Sequence, residues 1–172
     1  MPKLKVSVKR NGNKLKKNLQ ELMKLHKQKV EVGHFQEQGN HSEAGISYVA
    51  LMKKHHTGYE FDGKSVPARP IRDVLGFKLM GNSYKATIKK YFMDWGRVPN
   101  TFNSRMLLLN GIGKDMRETE KDIFGTHSSK IPANAELTIA LKDGRDTPMV
   151  DSGELSEATA YKTSLIDVAV TG

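Results

Sequence analysis

The chain of 172 residues contains no cysteine, which excludes disulfide bridges, thiolate nucleophiles and cysteine-based zinc or iron–sulfur sites. Aromatic residues make up only 7% of the sequence, so we expect a thin hydrophobic core. No apolar run reaches the roughly 18 residues of a membrane-spanning helix, and the N-terminus has no apolar stretch of signal-peptide length. These absences predict a soluble protein that is made in a reducing cytoplasm and is stabilised in part by neighbouring subunits.

Positive charge is present in excess, and the excess is confined to one end of the chain. The formal net charge is +9; residues 1–30 carry ten lysines and arginines against the single acid Glu21, whereas the remaining bases and acids balance. Such asymmetry predicts a basic arm or face that meets a negative surface, with a solvated helix face as the plainer alternative. The candidate contacts with DNA or an acidic partner are Lys3, Lys5, Lys9, Arg10, Lys14, Lys16 and Lys17.

Hydrophobic periodicity predicts both strands and helices. Strand-like alternation occupies residues 3–9, 30–35 and 159–170. Helical spacing occupies residues 14–27, 47–56, 71–79, 82–95, 100–124 and 135–142. Gly111 and Gly113 weaken the middle of the fifth of these helices by about 1 kcal/mol each relative to alanine, which allows a kink or a division into two shorter helices.

The pattern as a whole predicts one α+β domain with a small, mostly antiparallel sheet packed against helices and with long loops at the edges. Residues 1–28 form a basic strand and helix of that domain, and residues 29–172 form its main body. Polar residues 36–45 are typical of a loop, and residues 59–68 of an extended loop or hairpin. Val66 to Pro70 is extended, because proline lacks an N–H group and restricts the residue before it.

No group of residues has the spacing of a catalytic or metal site. The six histidines lack a metal-ligand pattern and are interpreted as surface or helix-end residues. Asp151 and Glu154 could pair as acid and base, but capping of a helix start by Asp151 or Ser152, with Glu154 reaching back, is the better explanation. No nucleophile elbow or phosphate-binding loop is present. The sequence therefore predicts neither an enzyme nor a bound cofactor or metal.

Four short motifs occur in a fixed order between about residues 29 and 168. They are the strand Val30-Glu31-Val32-Gly33, the helix from Tyr48 through His55 to Gly58, the loop Val66-Pro67-Ala68-Arg69-Pro70-Ile71, and the turn Thr147-Pro148-Met149-Val150-Asp151-Ser152-Gly153-Glu154-Leu155. In this order they resemble the tail-completion or neck proteins of long-tailed bacteriophages and the virion morphogenesis proteins of Mu-like phages. Ile71 departs from the phenylalanine that is common there, and His56-Thr57 replaces the usual Glu-(Phe/Tyr) before Gly58.

The resemblance implies a non-enzymatic virion protein, made in the host cytoplasm, that joins the tail to the head connector around the DNA channel. Its implied partners are copies of itself in a ring (a hexamer in the family), a tail terminator or tail tube protein, connector or portal-side proteins, and packaged DNA by non-specific contact, with no membrane. The motif residues expected to form rigid corners are Pro67, Arg69, Pro70, Pro148, Asp151, Gly153 and Leu155. We expect Arg69 to pair with Asp151 or Glu154. The alternative function is a basic nucleic-acid-binding accessory protein.

Overall fold

A computed structural model describes residues 20, 23–26, 28–98, 101–141, 144–150 and 152–164. Residues 23–26 are helical and lead to the first described strand. The strand predicted over residues 3–9, most of the helix predicted over residues 14–27, and the seven basic residues from Lys3 to Lys17 lie outside the described residues. So does Asp151.

The described strands form two antiparallel pairs. β1 (Lys29–Gly33) pairs with β4 (Ala160–Ser164), with Lys29 opposite Ser164 and Gly33 opposite Ala160. β2 (Tyr59–Phe61) and β3 (Lys64–Val66) form a hairpin whose turn residues, Asp62 and Gly63, both have positive φ, as a tight two-residue hairpin turn requires. Together with the helices, these strands confirm the predicted α+β class.

The helices follow the predicted periodicity closely. They are α1 (Tyr48–Thr57), α2 (Ile71–Met80), α3 (Asn82–Trp95), α4 (Phe102–Lys121), α5 (Glu136–Leu141) and α6 (Glu154–Glu157), with a single 3₁₀ turn at Gln36–Gln38. α1 begins where the Ser47 hydroxyl accepts a hydrogen bond from the Ala50 N–H. α4 begins with a reciprocal pair in which the Thr101 hydroxyl accepts from the Ser104 N–H and the Ser104 hydroxyl accepts from the Thr101 N–H.

α4 runs unbroken for 20 residues, so the division into two shorter helices at its glycines does not occur. A Cβ at Gly111 would lie 2.7 Å from the Tyr91 ring of α3, and a Cβ at Gly113 would overlap the Tyr161 ring of β4. The two glycines therefore allow α3 and the sheet to approach α4 closely on its two sides. Glycine lowers the stability of a helix, and the close packing of Tyr91 and Tyr161 against α4 offsets this loss.

The core lies where α1, α2, the end of α4 and α6 meet. Its buried members are Met52, Ile71, Leu75, Ile123, Phe124, Ile131 and Leu155, with Val32, Tyr48 and Val74 among the residues packed around them. Among the described residues, Phe124 is the aromatic member of this buried cluster. None of the described helices combines the length and apolar character that crossing a bilayer requires.

Several large apolar side chains remain outside this core. α3 has no buried residue along its 14 residues. The large apolar side chains that stay exposed on α2, α3, α4 and their connections are Phe77, Met80, Phe92, Met93, Val98, Phe102 and Leu107; Phe61 is exposed on the β2–β3 hairpin. Association with another chain is one way in which exposed apolar groups of this kind become buried.

Candidate functional site

The four motifs, far apart in sequence, contact one another in the fold. The β1–β4 ladder joins the first motif to the strand that follows the fourth. Next to the ladder, a ring nitrogen of His34, Nε2, lies 2.7 Å from the carbonyl oxygen of Leu155. The Gln38 side-chain amide donates to the carbonyl of Ala158. These contacts hold the segment after β1 against α6.

His34 differs from the sequence prediction. It was interpreted, with the other histidines, as a surface or helix-end residue, but its exposed fraction is only 4%. Burial lowers the pKa of its imidazole, and the nearby positive charge of Arg72 acts in the same direction, against the hydrogen bond to Leu155. His34 is therefore a structural residue of the core edge. The sequence feature that could have predicted this buried position is that His34 directly follows the strand motif.

The carboxylate of Glu154 joins the polar loop to the fourth motif. It accepts hydrogen bonds from the Ser42 N–H at 2.9 Å, from the Ser42 hydroxyl, and from the Tyr48 hydroxyl at 2.5 Å. A ring nitrogen of His41 lies 3.9 Å from the same carboxylate. The capping prediction is only partly confirmed. The Ser152 hydroxyl accepts from the Glu154 N–H at 3.3 Å, but the residue at the N-cap of α6 is Gly153, which forms no side-chain cap, and the Glu154 carboxylate binds Ser42 and Tyr48 where the prediction had it reach back. The contacts with Ser42 and Tyr48, more than 100 residues away, had no local signal.

These hydrogen bonds perturb the ionisation of both partners. The hydrogen bonds from Ser42 and Tyr48 lower the pKa of Glu154 to about 2, because they stabilise the charged carboxylate. The same contact raises the pKa of Tyr48, since its phenolic proton is held by an anion. Glu154 is therefore an ionised carboxylate that connects Ser42 and Tyr48 to the start of α6. A carboxylate with so low a pKa is poorly suited to general acid–base catalysis near neutral pH.

Arg69, the arginine of the loop motif, is buried but does not contact Glu154. Its exposed fraction is 6%. Its guanidinium donates to the Asn134 side-chain oxygen at 3.2 Å and to the Pro132 carbonyl at 3.5 Å, and the Asn134 N–H donates to Asp146 at 2.9 Å. The expected pairing with Glu154 is therefore wrong, because Glu154 is held by Ser42 and Tyr48. Arg69 instead joins the loop motif to the segment just before Thr147.

The remaining motif residues occupy structural positions. Pro148 is among the most deeply buried side chains, and its carbonyl accepts from the Gly125 N–H at 2.9 Å. Gly153 adopts a left-handed conformation immediately before α6, and Leu155 belongs to the core. Pro70 directly precedes α2, whereas Pro67 is exposed.

A second acid, Glu120 of α4, lies under the end of β1. It is completely buried, and none of the described residues hydrogen-bonds to either of its oxygens. Gly33 has no side chain at this point, and a Cβ there would lie 2.9 Å from an Arg72 guanidinium nitrogen and 3.9 Å from a Glu120 oxygen. The motif glycine thus leaves room for Arg72 to approach Glu120. Burial raises the pKa of Glu120, and the charge of Arg72 opposes that shift.

An open cleft of about 420 Å³ lies between the end of α2, α3 and α4. Its acidic lining residues, Asp115, Glu118 and Asp122, face Lys78 and the hydroxyl groups of Ser83, Tyr84 and Thr87. Burial of the Tyr84 phenol raises its pKa to about 12.

Within the described ranges, no cluster of three histidine or acidic residues has the geometry to hold a metal ion. Comparisons with protein-family models, with curated proteins and with solved structures find no match in any of the three.

Proposed function

We propose that this chain is a structural virion protein of a tailed bacteriophage, a ring-forming tail-completion or neck subunit that joins the tail to the head connector around the DNA channel. The observation that carries the proposal is the convergence of the four motifs. Residues of these motifs form contacts between distant segments: Gly33 leaves room for Arg72, Arg69 donates to Asn134, and Glu154 accepts from Ser42. Contacts of this kind between distant segments support a structural role for the motifs.

The exposed apolar side chains support a subunit that works within an assembly. A thin core leaves large apolar groups of α2, α3 and α4 uncovered, and association with further chains buries such groups. A closed ring repeats one heterologous interface around its axis, and its two faces are free to meet a connector on one side and a tail protein on the other.

Electron microscopy of virions, with antibodies against this chain, tests the proposal. We expect a ring of label at the head–tail junction, and we expect unjoined heads and tails when the chain is absent. Complementation with Arg69→Glu should fail, because the change puts a carboxylate next to Asp146 and removes a buried cation, at a cost of about 3–5 kcal/mol. Lys53→Glu, an exposed change on α1, is the control and should complement. Intact particles that lack the chain would overturn the proposal.

A basic nucleic-acid-binding accessory protein is the second candidate, and the confinement of all excess charge to residues 1–30 favours it. It predicts that the isolated chain binds duplex DNA with an affinity that falls steeply as salt rises. Tight, salt-dependent DNA binding, combined with absence of the chain from virions, would select this function over the neck subunit.

A further inference from the structure

The β2–β3 hairpin carries an uncovered aromatic side chain at its end. Phe61 is 71% exposed. The base of the hairpin is anchored, since the Tyr59 ring meets the His55 ring of α1 edge-on at 5.6 Å. Short two-stranded hairpins are marginal in water and are commonly stabilised by packing against another surface. This hairpin therefore presents Phe61 on a fixed support.

A second group of exposed apolar side chains lies where α3 ends and α4 begins. Phe92 and Met93 of α3 and Leu107 of α4 are exposed, the last by 73%. Tyr91 packs against Gly111, so Phe92 and Leu107, which lies one turn before Gly111, are at the same end of the helix pair. We name Phe92, Met93 and Leu107 the α3–α4 apolar surface.

The two surfaces have opposite charge. Glu60 and Asp62 flank Phe61 in an exposed tip that contains the single base Lys64. The exposed side of α3 carries Lys85, Lys89 and Lys90, which form no ion pair with another described residue; the one acid of this helix, Asp94, is paired with Arg97 at 3.3 Å. Lys89 and Lys90 lie about one turn before Met93 and so border the α3–α4 apolar surface.

We propose that the Phe61 hairpin of one copy of this chain docks on the α3–α4 apolar surface of a second copy, with Glu60 and Asp62 facing Lys89 and Lys90. The inference rests on the proposed ring, because a ring requires two different, mutually complementary surfaces on the same chain. Each surface is exposed among the described residues, each is apolar at its centre, and their borders are opposite in charge. A buried aromatic anchor with a charged rim is the usual composition of a strong protein interface.

Charge reversal on each of the two surfaces tests the contact. The self-association constant of each full-length variant is measured by sedimentation velocity. Glu60→Lys/Asp62→Lys and Lys89→Glu/Lys90→Glu should each weaken the self-association constant at least about tenfold, because like charges then meet. Phe61→Ser should do the same by removing the anchor. Lys53→Glu, which reverses an exposed charge on α1, should leave the constant within about twofold of the unmodified chain.

An equimolar mixture of the two reversed variants should associate again, and so should one chain that carries all four reversals. Such rescue cannot arise from misfolded chains. A wild-type chain that remains monomeric at its solubility limit, reversed variants that associate like the wild type, or reversed variants that fail to rescue one another would each overturn the docking. Self-association through this contact by a chain absent from virions would overturn the neck function and not the contact.

Discussion

At the residue scale, two glutamates of the same chain have opposite electrostatic environments. Glu154 receives hydrogen bonds from Ser42 and Tyr48, and these donors stabilise its charge. Glu120 is fully buried without a donor among the described residues, and its charge is penalised by burial. The two groups should therefore respond to pH in opposite directions.

Glu154→Gln should lower the melting temperature by several degrees at neutral pH, because the neutral amide holds Ser42 and Tyr48 less strongly than a carboxylate does. The pKa of Glu154 is about 2 in the folded chain and about 4.5 without its partners. Its contribution to stability is therefore complete above pH 4.5 and is lost as the pH falls towards 2. Thermal unfolding between pH 2 and 7 should show the difference from the unmodified chain shrinking over that interval. A difference that is constant with pH would contradict the role of its charge.

Glu120→Leu should stabilise the chain at neutral pH by about 1–3 kcal/mol, the cost of an unpaired buried polar group. Because burial raises the folded pKa of Glu120 above 4.5, the unmodified chain loses stability as the pH rises from 4.5 through that folded pKa. The advantage of the variant should thus appear on raising the pH and then level off. Urea unfolding at several pH values measures it. Glu157→Leu, at an exposed acid, is the control and should stay within about 0.5 kcal/mol.

At the scale of elements, periodicity located the helices and strands well, whereas contacts between elements had no local signal. α3 was predicted over residues 82–95 and is found at Asn82–Trp95. Gly111 and Gly113 misled the prediction for α4, because a helical glycine looks like a weak point until Tyr91 and Tyr161 are placed beside it. The partners of Arg69 and Glu154 escaped prediction for the same reason, since residues 65 and more than 100 positions away supply them.

Gly113→Ala should destabilise the chain by about 1–3 kcal/mol, because the new methyl group overlaps the Tyr161 ring. Helix propensity alone would give a gain of about 1 kcal/mol, so the sign of the effect separates the two explanations. Gly76→Ala in α2 is the matched control: nothing lies within 4 Å of its Cβ position, and it should stabilise by about 0.5–1 kcal/mol. Chemical denaturation of both variants makes the measurement. Stabilisation by both would show that α4 and β4 are not in close contact.

At the scale of the whole molecule, the described residues form a well-packed part and also leave large apolar side chains exposed. The β1–β4 ladder lies against α4, where Tyr161 covers Gly113. The end of the β2–β3 hairpin has no such cover, and Phe61 extends into solvent. This distribution suits a subunit that buries its exposed apolar side chains against other copies, because association then adds to the stability that a thin core provides.

Backbone amide exchange measured as a function of protein concentration should reveal this division. Those amides of Val30 to Gly33 that donate to β4 should exchange slowly at every concentration, because opening the ladder exposes the packed side of α4. Those of Phe61 and Lys64 should exchange rapidly in dilute protein, since a single hairpin pairing holds them. Raising the concentration should slow the hairpin amides in the wild type but not in Glu60→Lys/Asp62→Lys. Hairpin amides already as protected as the ladder in dilute protein would mean that the hairpin is stabilised within its own chain, and the apolar surface of α3 and α4 would then need a different partner.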